Sequence, residues 1–149
     1  MTTLQDRINQ SDLVNLSDWQ IANILNEPDP ALPLKRQPVN TLDSQVILLR
    51  SGDWPRIILA SDNVSLSDDI RGLAITLRDT IRQAPTIEAQ KLEIYTAVSQ
   101  ILDALVLIGL ITNQSKIDLL ALAERTQSWA EYNQIEVTAR TVGLARGSN

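Results

Sequence analysis

Apolar residues recur along this chain at helical spacing, and no run of strict alternation is long enough to predict a sheet. Ser17 ahead of Asp18, Trp19 and Gln20 reads as an N-cap with an acid in the first turn, so a helix is predicted over residues 18–26, ended by Pro28 and Pro30. Residues 3–10 before it read as a short helix or a mobile arm. Thr41 caps a predicted helix over 42–50, and Ser51-Gly52 ends it, because Gly tolerates the left-handed turn at a helix C-terminus. Asp53, Trp54 and Pro55 start the next, with Trp54, Ile57, Ile58 and Leu59 on its apolar side. Ser67 before Asp68 and Asp69 caps another. Ile70, Leu73, Ala74, Leu77 and Ile81 form its stripe, and Pro85 closes it.

The longest predicted helix spans 87–111, where Ile94, Val98, Ile101, Leu105 and Ile108 alternate steps of four and three. Nearly every position beyond Ile101 is apolar, which predicts burial on most sides. Thr112 caps 114–125, with Ile117, Leu120, Ala121 and Leu122 as a face. Ser128 and Glu131 have the spacing of a capping box, and Thr138 caps a last helix over 139–146. These elements predict an all-α fold, a single helical bundle of about five to seven helices over residues 41–149. Residues 1–40 are expected to be separate: an N-terminal helix and a Pro-rich arm. The stretch 27–40 (EPDPALPLKRQPVN) holds four of the six prolines and favours extended backbone.

Composition narrows the chemistry. The 149 residues carry 18 acidic and 13 basic side chains, a net charge of −5, with no His and no Cys. Disulfides, thiolate nucleophiles, Cys-type zinc sites and His-based acid–base catalysis are therefore out of reach. The five glycines are dispersed, so no phosphate-cradling loop is present. Lys91 and Lys116 lack a Ser three residues before them and read as solvated lysines rather than partners in a Ser–Lys dyad. Asp68-Asp69 could hold a divalent cation, but a place beside the positive end of a helix dipole explains the pair more simply. Asp103 falls in the most apolar stretch, where it reads as an exposed rim position or as a polar contact across a subunit boundary.

The scattered cations Lys35, Arg36, Arg140 and Arg146 make no nucleic-acid surface, and 16–26 lacks the basic recognition helix of a helix-turn-helix. The apolar stretch 101–111 is about half the length a membrane span needs. No basic segment followed by an apolar run marks a secretory signal at the N-terminus. A carboxylate-only enzyme such as a glycosidase is disfavoured by five aromatic residues with no sugar-stacking cluster. The expectation is a non-enzymatic protein with no cofactor, no metal, no nucleic acid and no membrane partner.

Each of Trp19, Trp54 and Trp129 stands near a predicted helix start, where a Trp is either a core anchor or an interface hot spot. Trp19 is the candidate for the second role, because its short helix needs something to dock on. The predicted partner-binding residues are Trp19, Ile21, Leu25, Leu32 and Leu34, on the N-terminal helix and the Pro-rich arm.

Three stretches carry a resemblance: LSDWQIANILNEPDP at 16–30, RSGDWPRI at 50–57 and SWAEYNQIEVTARTVGLARG at 128–147. Together they resemble small helical open reading frames among the tail genes of tailed bacteriophages and prophages. The resemblance spans most of the chain and brings no catalytic motif. It implies a structural or assembly component of the virion, in the tail, baseplate or fibre region. Such a component is assembled in the host cytoplasm and contacts other tail proteins or copies of itself. The alternative it leaves is a small phage-encoded adaptor or regulator that binds a host protein.

Overall fold

A computed structural model describes residues 2–147. Among these residues nine helices run in chain order: α1 (Leu4–Ile8), α2 (Asp18–Asn26), α3 (Thr41–Ser51), α4 (Asp53–Asp62), α5 (Asp68–Gln83), α6 (Leu92–Leu107), α7 (Asn113–Leu122), α8 (Trp129–Asn133) and α9 (Ala139–Ala145). Six strands of two residues each accompany them: β1 (Pro28–Asp29), β2 (Lys35–Arg36), β3 (Val39–Asn40), β4 (Thr86–Ile87), β5 (Glu124–Arg125) and β6 (Gln127–Ser128). The fold is mainly helical, and the strands form three antiparallel pairs, β1 with β6, β2 with β5 and β3 with β4.

The chain divides into two compact units, one from residues up to Leu34 and from Thr126 onward, the other from Lys35–Arg125. This corrects the expected boundary at residue 40 and the single bundle. The N-terminal helix is no free arm. Its Ile21, Ala22 and Leu25 share a core with Ile8, Leu13, Trp129, Ala130, Val137 and Val142, most of them brought from the far end of the chain. A short amphipathic helix is marginal in water, and burying that face is what holds it.

Caps set the helix starts in this first unit. Ser17 and Gln20 form a capping box on α2, Ser128 and Glu131 one on α8, and Thr138 and Thr141 one on α9. Arg146 then ties the C-terminal end to the start of α2. One guanidinium nitrogen donates to Asp18 Oδ1 at 2.7 Å, and another donates to the carbonyls of Leu16 and Val14 at 2.6 and 3.1 Å. Asn26 Nδ2 donates to Val137 O at 2.7 Å. The Pro-rich stretch is paired here too: Pro28 lies opposite Ser128, and Gln127 Nε2 donates to Pro33 O at 2.7 Å. Proline has no N–H but keeps its carbonyl, so it fits a two-residue edge pair as an acceptor.

The second unit packs α3 to α7 around Leu48, Trp54, Ile57, Ala60, Ala74, Leu77, Ile81, Leu102, Leu105, Ile111 and Leu119. The rest of the Pro-rich stretch is anchored within it. Lys35 pairs with Arg125 and Val39 with Ile87, while the Gln37 amide donates to Ala123 O at 2.8 Å. Gly52, at φ 80°, ends α3 in the left-handed region and directly precedes α4.

The helix expected over 87–111 is shorter. Ile87 belongs to β4, α6 ends at Leu107, and Gly109 turns the chain at φ 79°. Only Leu105 of the expected seam is fully buried, and Leu102 joins it, while Leu107 is almost wholly exposed. The run beyond Ile101 is therefore buried on one side rather than most. The helix expected to reach residue 125 stops at Leu122, and Glu124 and Arg125 pair as β5 instead. Asp103 is exposed and forms an ion pair with Lys116, as expected of a rim position.

One buried carboxylate organises this unit. Asp53, the first residue of α4, is fully buried. Its Oδ2 accepts from the Thr112 amide at 3.0 Å, from the Thr112 hydroxyl at 3.3 Å and from the Ser115 hydroxyl at 2.6 Å. It thus sits at the positive ends of α4 and α7 together. Its Oδ1 accepts no hydrogen bond and faces Arg56 Nη1 at 3.4 Å. Burial pushes the carboxyl up, but the bonds from Ser115 and Thr112 outweigh it and hold the group below its usual value.

Candidate interaction surface

The predicted partner-binding residues separate into two groups. Trp19 is 66% exposed and Leu34 53%, so both meet solvent. Ile21 and Leu25 are fully buried in the core of the first unit, which corrects their assignment as partner contacts. Leu32 is half-buried and packs against that same core. The physical reason is helical geometry. Ile21 and Leu25 are four apart and share one face, whereas Trp19, two residues before Ile21, lies about 160° round the helix from it. The face that holds α2 in place cannot also meet a partner. Trp54 and Trp129 are core residues, and Arg82 stacks over Trp54 at 5.8 Å from the ring centre.

A second surface has no counterpart among the sequence expectations. Helix α3 buries Thr41, Ser44 and Leu48 and turns Leu42, Val46 and Leu49 outward, at exposures of 65, 37 and 51%. Ile47 packs half-buried against the same core as Leu48, so both sides of α3 carry apolar side chains. Core packing of Ile47 and Leu48 and hydrogen bonds from Thr41 together hold the orientation. The Thr41 hydroxyl donates to Ala84 O at 2.6 Å, and the Thr41 amide donates to Pro85 O at 3.2 Å. Turning α3 to bury Leu42 and Leu49 would break these bonds and take its hydroxyl donor from the half-buried Ala84 carbonyl. A buried polar group left unsatisfied costs about 1–3 kcal/mol. Ser44 borders a small apolar cavity of about 30 Å³ that Leu77, Ile81, Leu102 and Leu119 also line.

The same rule turns α7. It buries Ser115 and Leu119 and leaves Ile117 exposed, because the Ser115 hydroxyl must reach Asp53. Of the apolar face expected around Ile117, Leu120, Ala121 and Leu122, Leu120 and Leu122 pack half-buried against the core, whereas Ile117 and Ala121 are exposed, which corrects their placement. The sequence signal for the α3 surface is weak. Leu42, Val46 and Leu49 have the i, i+4, i+7 spacing of a core stripe, and nothing in the residues marks Thr41 as a buried donor.

Asp43 and Arg50 flank the exposed stripe of α3, both exposed, and neither forms an ion pair among the described residues. The first unit carries a more polar cleft of about 200 Å³ lined by Arg7, Glu27, Pro28, Asp29, Pro30 and Trp129. Arg7 is already committed to Asp12 through two bonds of 2.9 Å, and Asp29 Oδ1 accepts from the Ala31 amide. Among the described residues, no group of three or more His, Cys, Asp or Glu could hold a metal ion. No described helix is long and apolar enough to cross a membrane. No protein-family model, curated protein or solved structure matches the chain.

Proposed function

We propose that the chain is a non-enzymatic structural or assembly component of a tailed-phage virion that works by protein–protein contact. The observation that carries the contact reading is the orientation of α3, which keeps hydroxyls inside and offers Leu42, Val46 and Leu49 to solvent. Exposed apolar side chains in contiguous rows mark interaction sites. Trp19 adds a second contact point on the other unit, and Trp is enriched among interface hot spots. The phage setting rests on the resemblance of 16–30, 50–57 and 128–147 to tail-gene products.

Mass spectrometry of purified virions and tail sub-assemblies from the encoding phage tests this reading. The expected result is the chain present in particles, with Val46→Glu and Trp19→Ser variants folded but depleted from them. A chain absent from particles and recovered bound to a host protein overturns the virion role.

A further inference from the structure

We propose that the exposed face of α3 is the contact of a two-fold dimer, with a second copy of this chain docked antiparallel on it. This inference rests on the contact reading above and names the partner for one surface.

Four side chains are arranged in matched pairs about Val46. Leu42 stands four residues before it and Leu49 three after, while Asp43 stands three before and Arg50 four after. At 100° per residue, Leu42 and Leu49 fall about 40–60° to one side of Val46, and Asp43 and Arg50 fall about 40–60° to the other. The face therefore has an apolar edge and a charged edge, and the charged edge is acidic at one end and basic at the other. A two-fold axis beside Val46, perpendicular to α3 and lying in the contact plane, keeps each edge on its own side and reverses the helix direction. Leu42 then meets Leu49 of the second copy, Val46 meets its own counterpart, and Asp43 meets Arg50 of the second copy. The opposed positions differ in height by about 1.5 Å, one residue's rise.

A parallel two-fold pairing crosses the edges instead. Asp43 would fall opposite Leu42 and Arg50 opposite Leu49, so each charge would lose water without gaining a partner. The acid at the start and the base at the end of α3 also suit its dipole. The flanking of one apolar row at matched distances from Val46 makes the face complementary to itself, as a two-fold interface requires. A uniformly acidic or basic partner would satisfy one end and be repelled at the other. One helix per copy is a small contact, so the dimer belongs to the weak class of specific interfaces.

Sedimentation equilibrium of the full chain from about 10 μM to about 1 mM tests this. The wild-type chain is expected to pass from monomer to dimer in this range, and Val46→Glu to remain monomeric with an unchanged circular dichroism spectrum. Asp43→Arg and Arg50→Asp are each expected to weaken the dimer about tenfold, and the double charge swap to restore it to within about threefold. A wild-type chain that is monomeric throughout overturns the inference, as does a double swap no tighter than either single change. The two proposals fail separately. A monomeric chain that still enters particles sinks the dimer and leaves the virion role standing, whereas a dimeric chain absent from particles does the reverse.

Discussion

Helices α2 and α3 are both short, capped by a polar residue and supplied with Leu and Ile, yet they spend their apolar faces differently. Helix α2 has one apolar face, Ile21, Ala22 and Leu25, and buries it, leaving Trp19 outside. Helix α3 has two candidate faces and buries the one that combines Leu48 and Ile47 with the hydroxyls of Thr41 and Ser44. The difference shows where hydrophobic periodicity stops deciding. With one apolar face, burial has a single solution. With two, the helix turns to satisfy the buried polar groups around it, because a stranded donor or acceptor costs about as much as burying one more leucine gains.

The largest effect expected from this comparison separates neighbours. Leu48→Ala on α3 and Ile21→Ala on α2 should each lower the unfolding free energy by about 2–5 kcal/mol, because each empties a packed site. Leu49→Ser and Trp19→Ser should each stay within about 0.5 kcal/mol. Urea denaturation of the four variants measures the contrast, and equal losses at Leu48 and Leu49 would break the assigned orientation of α3.

The next effect concerns what holds each helix at its end. Asp53→Ala should destabilise by about 3 kcal/mol, since it leaves the Thr112 amide and Ser115 hydroxyl without their buried acceptor. The folded Asp53 carboxyl lies below its usual value, so its contribution is present in full above the unfolded value of about 3.9. It disappears as pH falls through the lower folded value. Asp53→Asn should flatten the loss of stability between about pH 5 and pH 2, read from denaturation midpoints across that range. A profile identical to wild type would remove Asp53 from the account.

Arg146 plays the corresponding part for α2, closer to water. Arg146→Ala should cost about 1–2 kcal/mol, less than Asp53→Ala, because solvent replaces part of what the guanidinium supplied. Hydrogen exchange should show the loss at residues 14–26 and leave α3 protected. Loss spread over α3 as well would contradict the division into two units.

Much of the helical layout is legible in the residues. Ser17, Ser128 and Thr138 cap where their spacing indicates, Gly52 ends α3, and the α5 stripe buries Ala74, Leu77 and Ile81. The strands are not legible. Each is a two-residue pairing between segments far apart in sequence, too short to leave an alternating pattern. For that reason the Pro-rich stretch reads as an arm although both of its halves are paired. Helix α6 reads too long at both ends, because Ile87 looks the same in a strand paired with Val39 as in a helix. Of the predicted contact residues, only those off the buried face of α2 remain at the surface, and the α3 stripe carries no mark distinguishing it from core.

The residues alone determined local matters: where most helices are capped, and which chemistries lack their side chains. Caps, glycines and composition act within a few positions, so their meaning travels with the sequence. Which face of α3 and α7 turns inward, and that the two chain ends fold together, only the tertiary structure decided. Those outcomes depend on donors and acceptors tens of residues away, Thr41 with Ala84 and Ser115 with Asp53, whose meeting no local pattern encodes.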